Sequence, residues 1–227
     1  MKSAYIGIIA VMLVVIAIAC AGCASQTTTA PSGGSGTSSS GSSSPAAASS
    51  TPQVGSTVSS SSVFGSSYNW MEYQTTTTNQ GKEMSIDMKM ERSASTYNGQ
   101  PAVEMKVTMT SSGMNGVYDY YYDSAMNSIL GGTMTMTVNG KTMTIAIPAS
   151  QLNQMSATNF NKESTLTFAG IESVTVPAGT YPAASKYTKS ENGATVTFWS
   201  APGVPVPVQI SSSTSTGSTT SKLVGWG

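Results

Sequence analysis

The sequence predicts a mainly β protein: an antiparallel curved sheet, either an unclosed or a half β-barrel, with one or two short helices. Apolar and polar residues alternate with a period of two along most of residues 63–227, which is typical of strands with one buried face. Asn-Gly pairs separate several of these runs, and Asn-Gly favours tight hairpin turns. Only Ala149–Ala157 and Ser124–Leu130 suggest short helices. A sheet of many short strands is expected to curl.

Turn residues and alternation together predict the register of two hairpins and indicate a third, which pairs Gln209–Ser213 with Thr219–Val224. The turns are expected at Asn139-Gly140, Asn192-Gly193 and Thr216-Gly217. The predicted partners are Met136 with Met143, Met134 with Ile145, Tyr187 with Phe198, and Lys189 with Val196. Further turns are predicted at Asn98-Gly99 and Asn115-Gly116, because both residue types tolerate positive φ.

The N-terminal segment predicts export. Residues 1–22 hold Lys2 and then the uninterrupted apolar run Ile6–Ala19, the layout of a signal peptide. Ala21-Gly22-Cys23 resembles the end of a lipobox, and this resemblance implies cleavage before Cys23 and lipid attached to its thiol. The alternative is an uncleaved anchor, since the uncharged segment is about long enough to span a bilayer. Both interpretations hold the protein at the outer face of the cytoplasmic membrane.

Residues 23–62 are predicted to form a disordered tether. They consist mainly of Ser, Thr, Gly, Pro and Ala and carry no charge. Such a segment buries too little apolar surface to offset the entropy lost on ordering. We therefore expect an anchored N-terminus, a flexible spacer and a β domain at residues 63–227.

Composition excludes several function classes. Lys and Arg number 10, Asp and Glu also number 10, and there is no His. Nucleic-acid binding needs an excess of positive charge, and a catalytic triad or a histidine metal site needs His. The only cysteines are Cys20 and Cys23, so the β domain has no thiol chemistry. Asp119 and Asp123 share a strand face, but we interpret them as solvated carboxylates. No enzymatic activity, cofactor or metal site is predicted.

Methionine is the unusual abundance, with 14 residues. Alternation places several of them on apolar strand faces, namely Met88, Met90, Met105, Met134, Met136 and Met143. Three interpretations are open: methionine fills the core, lines an adaptable concave surface for an apolar or lipidic ligand, or supplies soft thioethers to Cu(I). We predict the second, with these six as ligand-binding residues.

The run Val117–Asp123 contains four tyrosines. Alternation puts Tyr118, Tyr120 and Tyr122 on one face. They would form either an aromatic ligand platform or a packed row whose hydroxyls reach water, and we predict the packed row.

Two C-terminal segments carry a family resemblance. Glu172–Tyr187 contains Val-Pro-Ala-Gly-Thr, and Trp199–Ile210 joins an aromatic residue to a Pro-Val segment. They resemble a signature of uncharacterised exported lipoproteins, many of them archaeal, which are similar to the LolA/LolB-like lipoprotein carriers. The resemblance implies an unclosed β-barrel with an apolar cavity and no general catalytic residues. The predicted function is a membrane-anchored binding protein for an apolar or lipidic ligand; the rival is a surface structural or interaction module without a ligand.

Overall fold

The computed structural model describes residues 52–65, 68–126, 128–138, 140–152, 165–191, 194–215 and 217–227. The strands are β1 (Thr57–Ser59), β2 (Trp70–Asn79), β3 (Lys82–Tyr97), β4 (Gln100–Ser111), β5 (Met114–Asp123), β6 (Ile129–Val138), β7 (Lys141–Pro148), β8 (Thr165–Val176), β9 (Gly179–Glu191), β10 (Ala194–Ser200), β11 (Gln209–Thr214) and β12 (Gly217–Trp226). Helix α1 spans Ser60–Val63, and residues 149–152 form a second short helix, α2. No helix in these ranges is long and apolar enough to cross a bilayer.

The strands form one sheet in the order β1-β8-β9-β10-β11-β12-β2-β3-β4-β5-β6-β7. Every neighbouring pair is antiparallel. Within the described ranges β1 and β7 each pair on one side only, so the sheet is not closed. The predicted fold class is therefore confirmed.

The predicted hairpin registers are also confirmed. Met136 pairs with Met143 and Met134 with Ile145 across β6 and β7. The β9–β10 hairpin has the predicted partners as well. β11 pairs with β12 as predicted, but Gly217, a predicted turn residue, pairs with Thr214 as the first residue of β12. Asn98 and Gly99 form the β3–β4 turn, both with positive φ. Turn chemistry and alternation agreed at Asn139-Gly140 and Asn192-Gly193, where a one-residue slip would have reversed every side chain.

Two local predictions were wrong. Asn115 and Gly116 lie inside β5, and the preceding turn is at residues 112–113, where Gly113 has φ +80°. Residues 124–126 and 128 are not helical, because β6 begins at Ile129 and buries that side chain beside Tyr122 of β5. The predicted helix at 149–157 is helical over 149–152, and its remainder lies outside the described residues.

The folded unit starts ahead of residue 63. Strand β1 pairs with β8, and α1 follows it directly, with Ser59 as its N-cap accepting a hydrogen bond from the Ser61 backbone N–H at 3.2 Å. All described strands and core residues belong to residues 52–227. A chain that starts at residue 24 therefore contains every described element of the fold.

The sheet curls strongly along its β8–β12 half. β8 and β12 stand four strands apart in the order. Nevertheless, the N–H of Ala178, just after β8, donates to the Leu223 carbonyl of β12 at 3.0 Å. Register shifts in the β8–β9 and β12–β2 pairs mark bulges, which bend strands and increase twist. We call the face that carries Leu223 and the core the inner face, and its opposite the outer face.

Part of the inner face is covered by the connection at residues 201–208. Tyr73 of β2 donates its hydroxyl to the Pro207 carbonyl at 2.6 Å. Phe64, after α1, packs on Phe198 of β10 with ring centroids 6.0 Å apart. Prolines cannot donate to a sheet ladder, so this Pro-Val segment runs as a connection, and its buried residues Ala201, Val206 and Val208 belong to the core.

Candidate functional site

Cross-strand register brings the six predicted methionines onto the inner face. Directly paired residues share a face. Met88 pairs with Met109, Met109 with Gly116, and Gly116 with Met136, which pairs with Met143. A second row across the same strands contains Met90, Val107, Tyr118, Met134 and Ile145, and Met105 follows on β4.

The structure divides these six residues into two groups. Met88, Met90 and Met105 are between 1% and 3% exposed and belong to the core. Met134 and Met136 are partly exposed, whereas Met143 is 55% exposed. The core group lies on β3 and β4, near the covered half of the inner face. The second group lies on β6 and β7, beyond that cover.

The exposed part of the inner face forms a continuous apolar surface on β5, β6 and β7. We call it the apolar strip and define it as Met114, Met134, Met136, Val138, Met143 and Ile145. Val138 is 42% exposed and Ile145 is 40% exposed. The strip is accessible because β7 is an edge strand and nearly all of its residues are exposed.

Two glycines, Gly116 of β5 and Gly132 of β6, lie on the inner face beside the apolar strip. Gly116 pairs with Met109 on β4 and with Met136 on β6. The Tyr118 ring and the Met109 methyl group lie next to the position that a Cβ on Gly116 would occupy. Gly132 lies farther along the sheet, where Leu152 of α2 packs on it. Leu152 is buried, so α2 limits the strip on this side.

Sequence reasoning missed four residues of this surface. Met114 directly precedes the predicted turn at Asn115-Gly116, so that prediction gives it no strand face. Val138 and Ile145 share the face of the methionines, but valine and isoleucine are common core residues and give no separate signal for a binding surface. Leu152 gave no usable signal, because its contact with Gly132 depends on where α2 packs.

The register does not favour a copper site built from the six methionines. Met90 and Met134 lie in one row but are separated by β4 and β5. Three strand spacings amount to about 14 Å. The thioethers of the two groups therefore do not meet at one point. The described residues also contain no group of three or more His, Cys, Asp or Glu side chains placed to hold a metal ion.

The two carboxylates of β5 share the outer face, as predicted, but they are only partly exposed, and Oδ1 of Asp119 is buried without a hydrogen-bond partner among the described residues. Thr133 donates to Asp119 at 3.2 Å, and Ser128 donates to Asp123 at 2.7 Å. Both therefore bond to hydroxyls of the neighbouring segment. Cys23, the predicted lipid attachment site, lies outside the described residues.

Tyrosines of the inner face are held in their neutral form. Tyr118 and Tyr120 stack with ring centroids 6.3 Å apart, and Tyr73 is fully buried beneath residues 201–208. Burial raises the pKa of Tyr73 well above its usual value and also raises the pKa of Tyr118 and Tyr120. These hydroxyls therefore act as hydrogen-bond donors or acceptors and not as charges.

The raised tyrosine pKa values predict a loss of stability at alkaline pH. A raised pKa in the folded state means that stability is constant below the unfolded pKa of about 10 and falls above it, by roughly 1.4 kcal/mol per pH unit for each such tyrosine. Absorbance at 295 nm should therefore show Tyr73 and Tyr120 ionising only together with the loss of circular dichroism. Complete tyrosine ionisation in a protein that keeps its native dichroism would contradict this.

Comparisons with known proteins assign no family. No family model matches the chain, and no curated protein matches it. Among solved structures, the chain is similar to a DUF1329 family protein from Desulfovibrio piger ATCC 29098. Sequence identity is 7% and the TM-score is 0.34, over 70% of this chain and 85% of that one.

Proposed function

We propose that this protein is a non-enzymatic, membrane-tethered extracytoplasmic protein whose β domain binds an apolar or lipidic ligand on the apolar strip. The observation that carries the proposal is the exposure of Val138, Met143 and Ile145 on the face that elsewhere forms the core. Contiguous exposed apolar surface marks binding sites. Unbranched methionine side chains adapt to ligands of different shape. The predicted lipid at Cys23 would hold the domain close to a source of such ligands.

Uptake of a neutral fluorescent probe tests this function. The chain starting at residue 24 should bind N-phenyl-1-naphthylamine with an increase in fluorescence. Met143→Ser should weaken binding about fivefold, since burying part of one apolar side chain contributes roughly 1 kcal/mol. Val54→Ser is the matched control, because Val54 is exposed but lies outside the strip, before β1. Absence of uptake, or equal weakening by both variants, would contradict the proposal.

The rival function is an interaction module without a small ligand. The complete packing of Met88, Met90 and Met105 favours it, because those side chains are unavailable to any ligand. The edge of β7 also favours it, since an unpaired edge is a template for another strand. Sedimentation velocity separates the two: self-association without probe uptake, abolished by Thr144→Pro on this edge, would support the rival.

A further inference from the structure

Charged side chains are distributed unequally between the two faces of the sheet. Among strand residues whose side chains the structure describes, the inner face carries cations and no carboxylate. The inner-face cations are Lys82, Arg92, Lys141 and Lys189. The outer-face carboxylates are Glu72, Glu83, Asp87, Glu91, Glu104, Asp119, Asp123 and Glu172, together with the cations Lys89, Lys106, Lys186 and Lys222. The register also places Glu191, the last residue of β9, opposite Ala194 on the inner face.

Two ion pairs lie on the outer face. Lys89 contacts Glu91 at 2.8 Å, and Lys186 contacts Glu172 at 3.4 Å, both on the outer face. Lys82 and Lys141 form no ion pair with any described residue. Inner-face positive charge at these two lysines is therefore not balanced by a neighbouring carboxylate in the described part of the chain.

Lys141 stands at the end of the apolar strip. It is the first residue of β7 and pairs directly with Val138, and Met143 follows two residues later on the same face. Lys82 begins β3 at the same end of the sheet, opposite Asn79. Arg92 lies toward the other end, with its guanidinium 5.2 Å from the Tyr68 ring centroid. The exposed apolar surface thus has a cation at one end.

We propose that the apolar strip binds an anionic amphiphile, with its head group at Lys141 and its hydrocarbon chain across Met143 and Met136. This inference rests on the proposed function and names its ligand class. An ammonium group beside an apolar surface attracts an anionic head, and the attraction is stronger where the chain displaces water. The same ammonium group repels a cationic head and so disfavours a cationic amphiphile. A carboxylate on a fatty chain and a phosphate on a lipid share this chemistry.

A series of ligands with one twelve-carbon chain tests the head group. The probes are dodecanoate, dodecyl phosphate, neutral monododecanoylglycerol and dodecyltrimethylammonium, titrated calorimetrically below their micelle concentrations into the chain starting at residue 24. We expect the anions to bind about fivefold tighter than the neutral ligand, because the head group and Lys141 form one partly exposed charge pair. The cation should bind more weakly than the neutral ligand. The preference for anionic over neutral ligands should decrease as the salt concentration rises, because salt screens the attraction between the head group and Lys141.

Substitution locates the head group. Lys141→Met should remove most of the preference for anions and leave the affinity for monododecanoylglycerol unchanged. Lys141→Arg should keep the preference. Lys222→Met is the matched control, because Lys222 is exposed on the outer face, and this variant should behave as the native chain. A preference for both anions supports the proposal and indicates a site that accepts anionic head groups in general. A preference for dodecyl phosphate alone also supports the proposal and indicates a site for the phosphate head group of a lipid.

The possible failures are distinguishable. If no ligand of the series binds, the proposed function itself is wrong. If monododecanoylglycerol binds as tightly as the anions, or if Lys141→Met keeps the full preference, the strip binds apolar ligands but the anionic inference is overturned.

Discussion

Met105→Ala should lower the free energy of unfolding by about 2–5 kcal/mol, whereas Met143→Ala should change it by less than about 1 kcal/mol. Both residues are methionines on the inner face, and both were predicted as ligand-binding residues. Met105 is 1% exposed and Met143 is 55% exposed. Truncating Met105 leaves a cavity that its packed neighbours cannot fill, while truncating Met143 mainly removes atoms that already contact water.

Urea unfolding monitored by circular dichroism measures both variants in the chain starting at residue 24. Neutral probe binding, measured on the same samples, should show the opposite order. Met143→Ala should weaken binding of the probe, whereas Met105→Ala should not change it under conditions where the protein is folded. Equal stability losses in the two variants would mean that the inner face is covered as far as β7, which would remove the apolar strip as a site.

Gly132→Ala should destabilise the protein by about 2–4 kcal/mol, whereas Gly116→Ala should be nearly neutral. A Cβ on Gly132 would lie 2.6 Å from the Asp119 backbone oxygen on the neighbouring strand and 3.3 Å from Leu152 Cδ1. The carbonyl belongs to the β5–β6 ladder, so relieving this contact means separating the strands or displacing α2. Neither glycine requires positive φ.

Gly116 is the matched control because it is also a buried inner-face glycine, on the strand next to that of Gly132. Its added Cβ would meet only the ring edge of Tyr118 at 3.3 Å and the Met109 methyl carbon at 3.4 Å, and both side-chain ends can move. Reduced entropy of the unfolded chain offsets part of that cost. Thermal unfolding checks the difference, and a Gly132→Ala variant as stable as Gly116→Ala would show that the strands separate easily here.

Strand register was predictable where two independent local signals agreed. At Asn139-Gly140 and Asn192-Gly193, turn residues and alternation demanded the same pairing, and the structure confirms both. At Asn115-Gly116 only turn chemistry predicts a turn. Alternation through Met114, Gly116 and Tyr118 already indicated an extended strand, and the turn two residues earlier uses Gly113 at positive φ.

The predicted helix at 124–130 failed for a different reason. Its local composition permits a helix, but Ile129 gains burial only by extending β6 beside β5. Pairing with a strand that is already formed outweighs a weak local preference. The gain lies in contacts between segments and has no signal within the segment itself.

The candidate site shows the same limit. Alternation identified the correct face for all six methionines but did not distinguish core from surface. Met88 and Met143 stand in one row across five strands, and only the first lies in the core. The connection at 201–208 and Phe64 cover one half of the inner face, and neither has a sequence signal that says where it packs.

The sequence by itself therefore determined the strands, most of their turns and the face on which each side chain lies, because these depend on a period of two and on residues at the turns. The tertiary structure decided which part of the inner face remains open. It also placed Lys141 at the end of that part, whereas the ion pairs Lys89–Glu91 and Lys186–Glu172 lie on the outer face. These features depend on how the sheet curls and on which distant segments cross it, and such non-local contacts leave no periodic trace in the chain.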